Sequence, residues 1–131
     1  MYGCPADFYY SKKHIWIKAE AESDPQMAMI GIAEELAEEL GEILSIDLPM
    51  RGDELEIDVL CIYLHIFNHI RHLGSPLTGR VIEINKEVLD NPALLHLAPY
   101  KHWLFKMEYD EPDEFDLLMS KSQYSKYLDH L

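Results

Sequence analysis

Three histidines fall within eight residues of this chain: His65, His69 and His72, in the stretch LHIFNHIRHL. Imidazole is both the commonest neutral metal ligand and the side chain most easily switched by protons near neutrality. The cluster therefore poses a choice between a metal site and a surface contact. On a helix the three would stand at i, i+4 and i+7, on one face, where zinc or nickel could be shared. The element that carries them decides their chemistry. Other reactive types are sparse. Cys4 and Cys61 have no second cysteine at metal spacing, and Cys61 sits in an apolar run where a thiol behaves as a small hydrophobe, so both are read as reduced thiols. No acid/base pair or nucleophile triad stands out, and GSPLTGR (Gly74 to Arg80) lacks the lysine and following helix of a phosphate-binding loop. His14, His96, His102 and His130 are scattered and read as ordinary surface or strand-edge residues.

The elements that must position the histidines belong to one domain. With 131 residues and 48% apolar content the chain is long enough to bury a core. Its 24 acidic residues against 11 basic give a formal charge of −13, which would repel a phosphate backbone or an anionic membrane. Nucleic acid and membrane are thereby poor partners, while basic patches on other proteins are suitable ones. The opening MYGCPADFYYSKKH has no apolar core behind a basic segment, and the longest apolar run, Val59 to Phe67, is under half of the ~20 residues a membrane helix needs. The cytoplasm is the expected compartment, residues 1–13 read as a leader, and residues 14–131 as the domain.

Hydrophobic period then assigns the elements. HIWIKAE, from His14, reads as a strand with Ile15 and Ile17 on one face and Trp16 on the other; Ala21 to Gln26 reads as a turn. From Met27, MAMIGIAEELAEELG reads as an amphipathic helix, with Ile32, Leu36 and Leu40 at every fourth residue and Gly41 as its C-terminal cap. EILSIDLP alternates, placing Leu44, Ile46 and Leu48 on one face until Pro49 ends the strand. A turn at Met50 to Asp53 leads into ELEIDVLCIYL, read as one strand entering the core. After a turn at Ser75 to Gly79, RVIEIN reads as a strand with Ile82 and Ile84 inward. A helical turn is expected at Pro92 to Leu95, and a strand at HWLFKMEY with Trp103, Phe105 and Met107 on one face. Trp16 and Trp103 read as core anchors. A capping box, Ser120 with Gln123, opens a C-terminal helix with a stripe at Tyr124, Tyr127, Leu128 and Leu131. Many short strands with small helices imply a mainly β barrel or sandwich.

Taken in order, KHIWIK, MIGIAEELAEELGEILSIDLP, RGDELE, SPLTGRVIEIN, LDNPALLHLAPYKHWLFKM and EFDLLMSKSQYSKYL resemble the glycine cleavage system H protein over roughly Asp7 to Tyr127. The resemblance implies a flattened lipoyl/biotinyl-type β-barrel, a barrel-sandwich hybrid, with short helices and a C-terminal helix. In that family one hairpin projects a lysine whose lipoyl arm carries an aminomethyl group between enzymes, so the protein is a carrier rather than a catalyst. Counting back from Ser75 and Pro76, the lysine position corresponds to Asn68 and the acidic residue before it to His65. No lysine occurs between Lys18 and Lys86. A carboxamide cannot form the lipoyl amide, and the nearest basic residue, Arg71, is always charged and not acylated. The expectation is a family member without lipoate or any other cofactor. It would act as a protein-binding or regulatory homologue toward glycine cleavage or lipoate-handling proteins. A working lipoyl carrier and a histidine metal protein are the alternatives.

On the hairpin that the resemblance implies, Phe67 and Asn68 form the turn, Ile66 faces His69, His65 faces Ile70 and Tyr63 faces His72. His65 and His72 then share a face and His69 takes the other, which disfavours a site of all three and leaves His65 and His72 as the metal candidates. Ile66, Phe67, Asn68, His69 and Ile70 make up the tip. Its apolar members either fold back over the barrel or form a docking surface.

Overall fold

The computed structural model describes residues 8–20 and 26–131; Cys4 and most of the expected turn at Ala21 to Gln26 lie outside the described residues. The opening alternation holds. In β2 (Ile15–Ala19), Ile15 and Ile17 enter the main core, while Trp16 faces a second cluster formed with Phe8, Tyr10, Ala33 and Tyr124. That cluster corrects the expected leader, because Phe8 and Tyr10 are buried and β1 (Tyr9–Tyr10) pairs with β2. The aromatic density of DFYY supplies buried area that a solvated leader would not need.

The run from Met27 is not one helix. Met27–Ile32 is β3, paired on one side with β2 (Ile17 opposite Ile30) and on the other with β9. Ile32 closes this strand, Ala33 caps, and helix α1 covers only Glu34–Leu40, burying Leu36, Ala37 and Leu40. Gly41, at φ 70°, ends it by donating its N–H to the Ala37 carbonyl, as expected of a glycine cap. Gly31 lies opposite Trp16, and a β-carbon there would fall on the indole. The approach of β2 to β3 requires glycine at that point.

The remaining elements are β4 (Ile43–Asp47), β5 (Glu54–Leu55), β6 (Leu60–Ile66), β7 (His69–Gly74), β8 (Gly79–Ile84), α2 (Lys86–Asp90), α3 (Leu94–Leu97), β9 (Phe105–Tyr109), a 3-10 turn (Pro112–Leu117) and α4 (Lys121–Asp129). They form a six-stranded sheet in the order β1-β2-β3-β9-β8-β5 and a three-stranded sheet, β4-β6-β7. All named pairings are antiparallel. The class is the expected one, mainly β with short helices and a C-terminal helix, although the two sheets do not close into a continuous barrel.

Local departures have local causes. A register shift between Ile43 and Ser45 turns Leu44 outward and leaves Ile43 and Ile46 buried. A second, between Val81 and Glu83, makes Val81 the buried residue of β8 in place of Ile82. ELEIDVLCIYL is two strands, because Asp58 adopts φ 69° and exposes Val59 before β6 begins at Leu60, itself exposed. Helix α2 is capped by Asn85, whose side chain accepts from the Glu87 N–H, a feature the prolines beyond it obscured. Trp103 precedes β9 and packs, half-buried, on the second cluster. The capping box forms as expected, with Ser120 and Gln123 bonding reciprocally, and α4 buries Tyr124 against Tyr10, while Leu131 stays exposed.

Candidate functional site

The β6–β7 hairpin has the expected register: Ile66 opposite His69, His65 opposite Ile70 and Tyr63 opposite His72. Phe67 and Asn68 form the turn. Asn68 sits at φ 61°, a left-handed conformation that asparagine adopts more readily than other side chains carrying a β-carbon. Phe67 is 87% exposed and Ile70 41% exposed, while Ile66 is half-buried against the core. Tip residues Phe67, Asn68 and His69 therefore stand in solvent and do not fold back.

Alternation sorts the rest of the hairpin. Ile62, Leu64 and Leu73 point into the core. On the same side, Arg71 pairs with Glu39 of α1, and its hydrogen bond holds the Glu39 carboxyl below the ordinary value. This pair ties the outer half of β7 to the acidic helix. The opposite face carries Tyr63, His65, Ile70 and His72. There the His65 ring nitrogen lies 2.7 Å from an Asp47 carboxylate oxygen, and His72 meets Tyr63 edge to face at 5.1 Å. His65 and His72 share this face and His69 does not, as the alternation required. Among the described residues no group of three His, Cys, Asp or Glu side chains is placed to hold a metal ion. Cys61 offers no nucleophile either, since burial pushes its thiol up to about 12.

The hairpin's base is held by groups that sequence reading did not single out. Ser75 Oγ donates to the Leu77 carbonyl at 2.6 Å. Both Glu114 oxygens accept from Thr78, one from its N–H and one from its hydroxyl, each at 2.7 Å. Thr78 Oγ1 in turn accepts from the Ile57 N–H. Glu114 stands 36 residues from Thr78, on the 3-10 turn, and no local pattern announces the pairing.

His14, expected as an ordinary surface or strand-edge residue, stands at the edge of β2 and is bonded into the fold. It sits at φ 65°, half-buried, with Nδ1 2.8 Å from the Tyr124 hydroxyl, which itself donates to Glu35 at 3.1 Å. Because that hydroxyl has one proton, His14 Nδ1–H is the donor to it. Burial lowers the His14 pKa, partly opposed by Glu39 and Glu35. As pH falls below the ordinary value of 6.5, the unfolded chain takes up this proton first, so the folded state loses stability until its own lower pKa is reached. We expect the thermal midpoint to drop as pH falls through the ordinary value of 6.5, and a His14→Asn variant, which keeps the left-handed backbone accessible, to flatten that drop. Equal slopes for both proteins would remove His14 from the effect.

Geometrically, the described residues form a two-sheet scaffold that presents one solvated hairpin, with no assembled catalytic group. Comparison with known proteins gives that class its identity. The glycine cleavage H-protein family matches residues 8–131. A glycine cleavage system H protein of Staphylococcus epidermidis is 34% identical over 125 residues, covering 95% of this chain and 96% of that one. The mitochondrial H protein of Drosophila melanogaster is 38% identical over 120 residues, covering 91% and 71%. A crystal structure of the Mycobacterium marinum glycine cleavage system H protein superposes with a TM-score of 0.82 at 25% identity, covering 98% of this chain and all of that one. The chain belongs to the glycine cleavage H-protein family. It is a non-catalytic, carrier-type scaffold rather than an enzyme.

Proposed function

We propose that this chain is an H-protein homologue that carries no lipoyl group and works as a protein-binding module through its hairpin tip. The observation that carries this reading is the apex itself: Asn68 turns a hairpin that contains no lysine, and the resemblance sets the family's lysine at that position. A carboxamide has no nucleophilic amine, so the residues present do not fit lipoate. Lys86, Lys101, Lys106, Lys121 and Lys126 lie on other elements. What the apex offers instead is exposed apolar surface, Phe67 with Ile70 beside it, in place of a tethered arm. Glycine cleavage or lipoate-handling proteins, whose sites would otherwise receive that arm, are the partners this supports, and the cytoplasm the compartment.

Two measurements test it. Intact mass after co-expression with a lipoate ligase and added lipoate should equal the mass of the bare chain; a lipoylated species rejects the reading and restores the carrier. Pull-down of purified glycine cleavage and lipoate-handling proteins should retain at least one, and Phe67→Ala should release it. Truncating an exposed aromatic anchor costs about 2 kcal/mol or more at an interface hot spot, a loss of ~30-fold in affinity. Retention of none of these proteins overturns the binding role.

A further inference from the structure

We propose that the free edge of β7 pairs antiparallel with β7 of a second copy of this chain, so that each Phe67 enters the groove at the base of the other copy's hairpin. The first observation is the edge itself. β7 is the last strand of its sheet, and among the described residues no backbone hydrogen bond joins His69–Gly74 to anything beyond β6. A two-residue turn makes Ile66 and His69 a hydrogen-bonded pair, so the N–H and C=O groups of Ile70 and His72 point away from β6. Such an edge is a template for another strand unless charge, proline or a bulge blocks it. Here none does. The only permanent charge on β7, Arg71, is neutralised by Glu39, whereas the other edge of the sheet, β4, carries Asp47 and a register shift.

Self-pairing follows from the same alternation. A two-fold axis at Arg71 sets Ile70 of each copy against His72 of the other as hydrogen-bonded pairs, four backbone bonds in all, with both copies' outer faces on the same side. The axis also sets Phe67 of one copy level with Ser75 of the other. At that level lies a groove of about 650 Å³, with Ile57, Leu60, Pro76 and Leu117 among its walls and Lys12 and Lys13 at its rim. Leu60 and Leu117 are 50% and 71% exposed, so apolar tip and apolar groove are both uncovered in one copy and both covered in two. Charge at the groove agrees: Glu42, next to Ile43, which pairs with Ile66 below the tip, is exposed, and the groove it would approach is lined by two exposed lysines, Lys12 and Lys13, against one carboxylate, Asp58. The axis also sets Arg71 of each copy opposite Arg71 of the other, and each is neutralised by its own Glu39. The pairing also hides the tip from any other partner.

Sedimentation velocity of the full chain over a concentration series tests the pairing. Expected is a reversible dimer, with amide exchange at Ile70 and His72 slowing as concentration rises. Phe67→Lys on the tip and Leu117→Lys in the groove should each weaken it at least tenfold; both side chains are exposed, so folding should survive and circular dichroism checks that it does. A chain that stays monomeric at hundreds of micromolar, or a dimer that neither substitution weakens, overturns the proposal. Leu117→Lys leaves the tip intact, so a variant that becomes monomeric yet still retains a protein partner separates this pairing from the docking role.

Discussion

Asn68→Lys is expected to turn an unmodified chain into a substrate for a lipoate ligase, read as the appearance of a lipoylated species in intact-mass spectra where the native chain shows none. The reasoning is positional. Residue 68 occupies the apex of a two-residue turn whose strands stay in register from Ile66–His69 down to Ile62–Leu73, so a lysine there would project into solvent on a rigid support. The backbone opposes it mildly, because φ 61° suits asparagine and costs an ordinary side chain about 1 kcal/mol. That is too little to melt the hairpin, since Ile62, Leu64 and Leu73 anchor it in the core. His65, where the family's acidic residue falls, is the second expected obstacle. His65→Glu added to Asn68→Lys should raise the modified fraction further, although it sets a carboxylate near Asp47, now paired with His65. If neither variant is modified, residue 68 is not the attachment position and the account of the lost carrier fails.

How much of this was legible in the sequence depends on how local the causes are. The hairpin register followed once the resemblance implied a turn at Phe67 and Asn68, because alternation then leaves few options, and the Gly41 and Ser120 caps were readable because they are chemical signals within four residues of their partners. β3 was misread because Ile32, Leu36 and Leu40 keep a helical spacing across a boundary: the first belongs to a strand and the others to a helix. Pairing with β2 and β9 decides the matter, and both lie elsewhere in the chain. The outward turn of Leu44 and the burial of Val81 come from bulges, which shift the alternation by one residue without any residue type to mark them. At the candidate site the same rule holds. With the hairpin implied by the resemblance, the faces of the histidines followed from a dozen residues. The clamp from Glu39 to Arg71 spans 32 residues, and His14 reaches Tyr124 across 110. Those contacts exist only once the sheets have folded, and they hold the hairpin and the C-terminal helix to the rest of the domain.

The same distinction makes Gly79→Ala the most damaging single-methyl change available near the hairpin. Gly79 begins β8 and is paired on both sides, with Leu55 of β5 and Tyr109 of β9. Its conformation does not demand glycine, but its surroundings do, since a β-carbon would fall on the backbone carbonyl of Glu108. A flexible side chain could step aside; a backbone held in the β8–β9 ladder cannot without breaking the register of the central sheet. Gly52 is the control: at φ 92°, with nothing near its missing β-carbon, its substitution strains only a surface turn. Overpacking against backbone in a buried position costs about 3 kcal/mol or more, which for a domain of this size lowers the thermal midpoint by roughly 12 °C. The loss should spread to the hairpin's base, because Thr78 precedes Gly79 and holds both Ile57 and Glu114. Amide exchange at Ile57 and Thr78 should therefore speed up in Gly79→Ala more than exchange in α4, which touches neither. A midpoint within 2 °C of the native value, far less than a 3 kcal/mol loss implies, would show that β8 and β9 do not meet in this register.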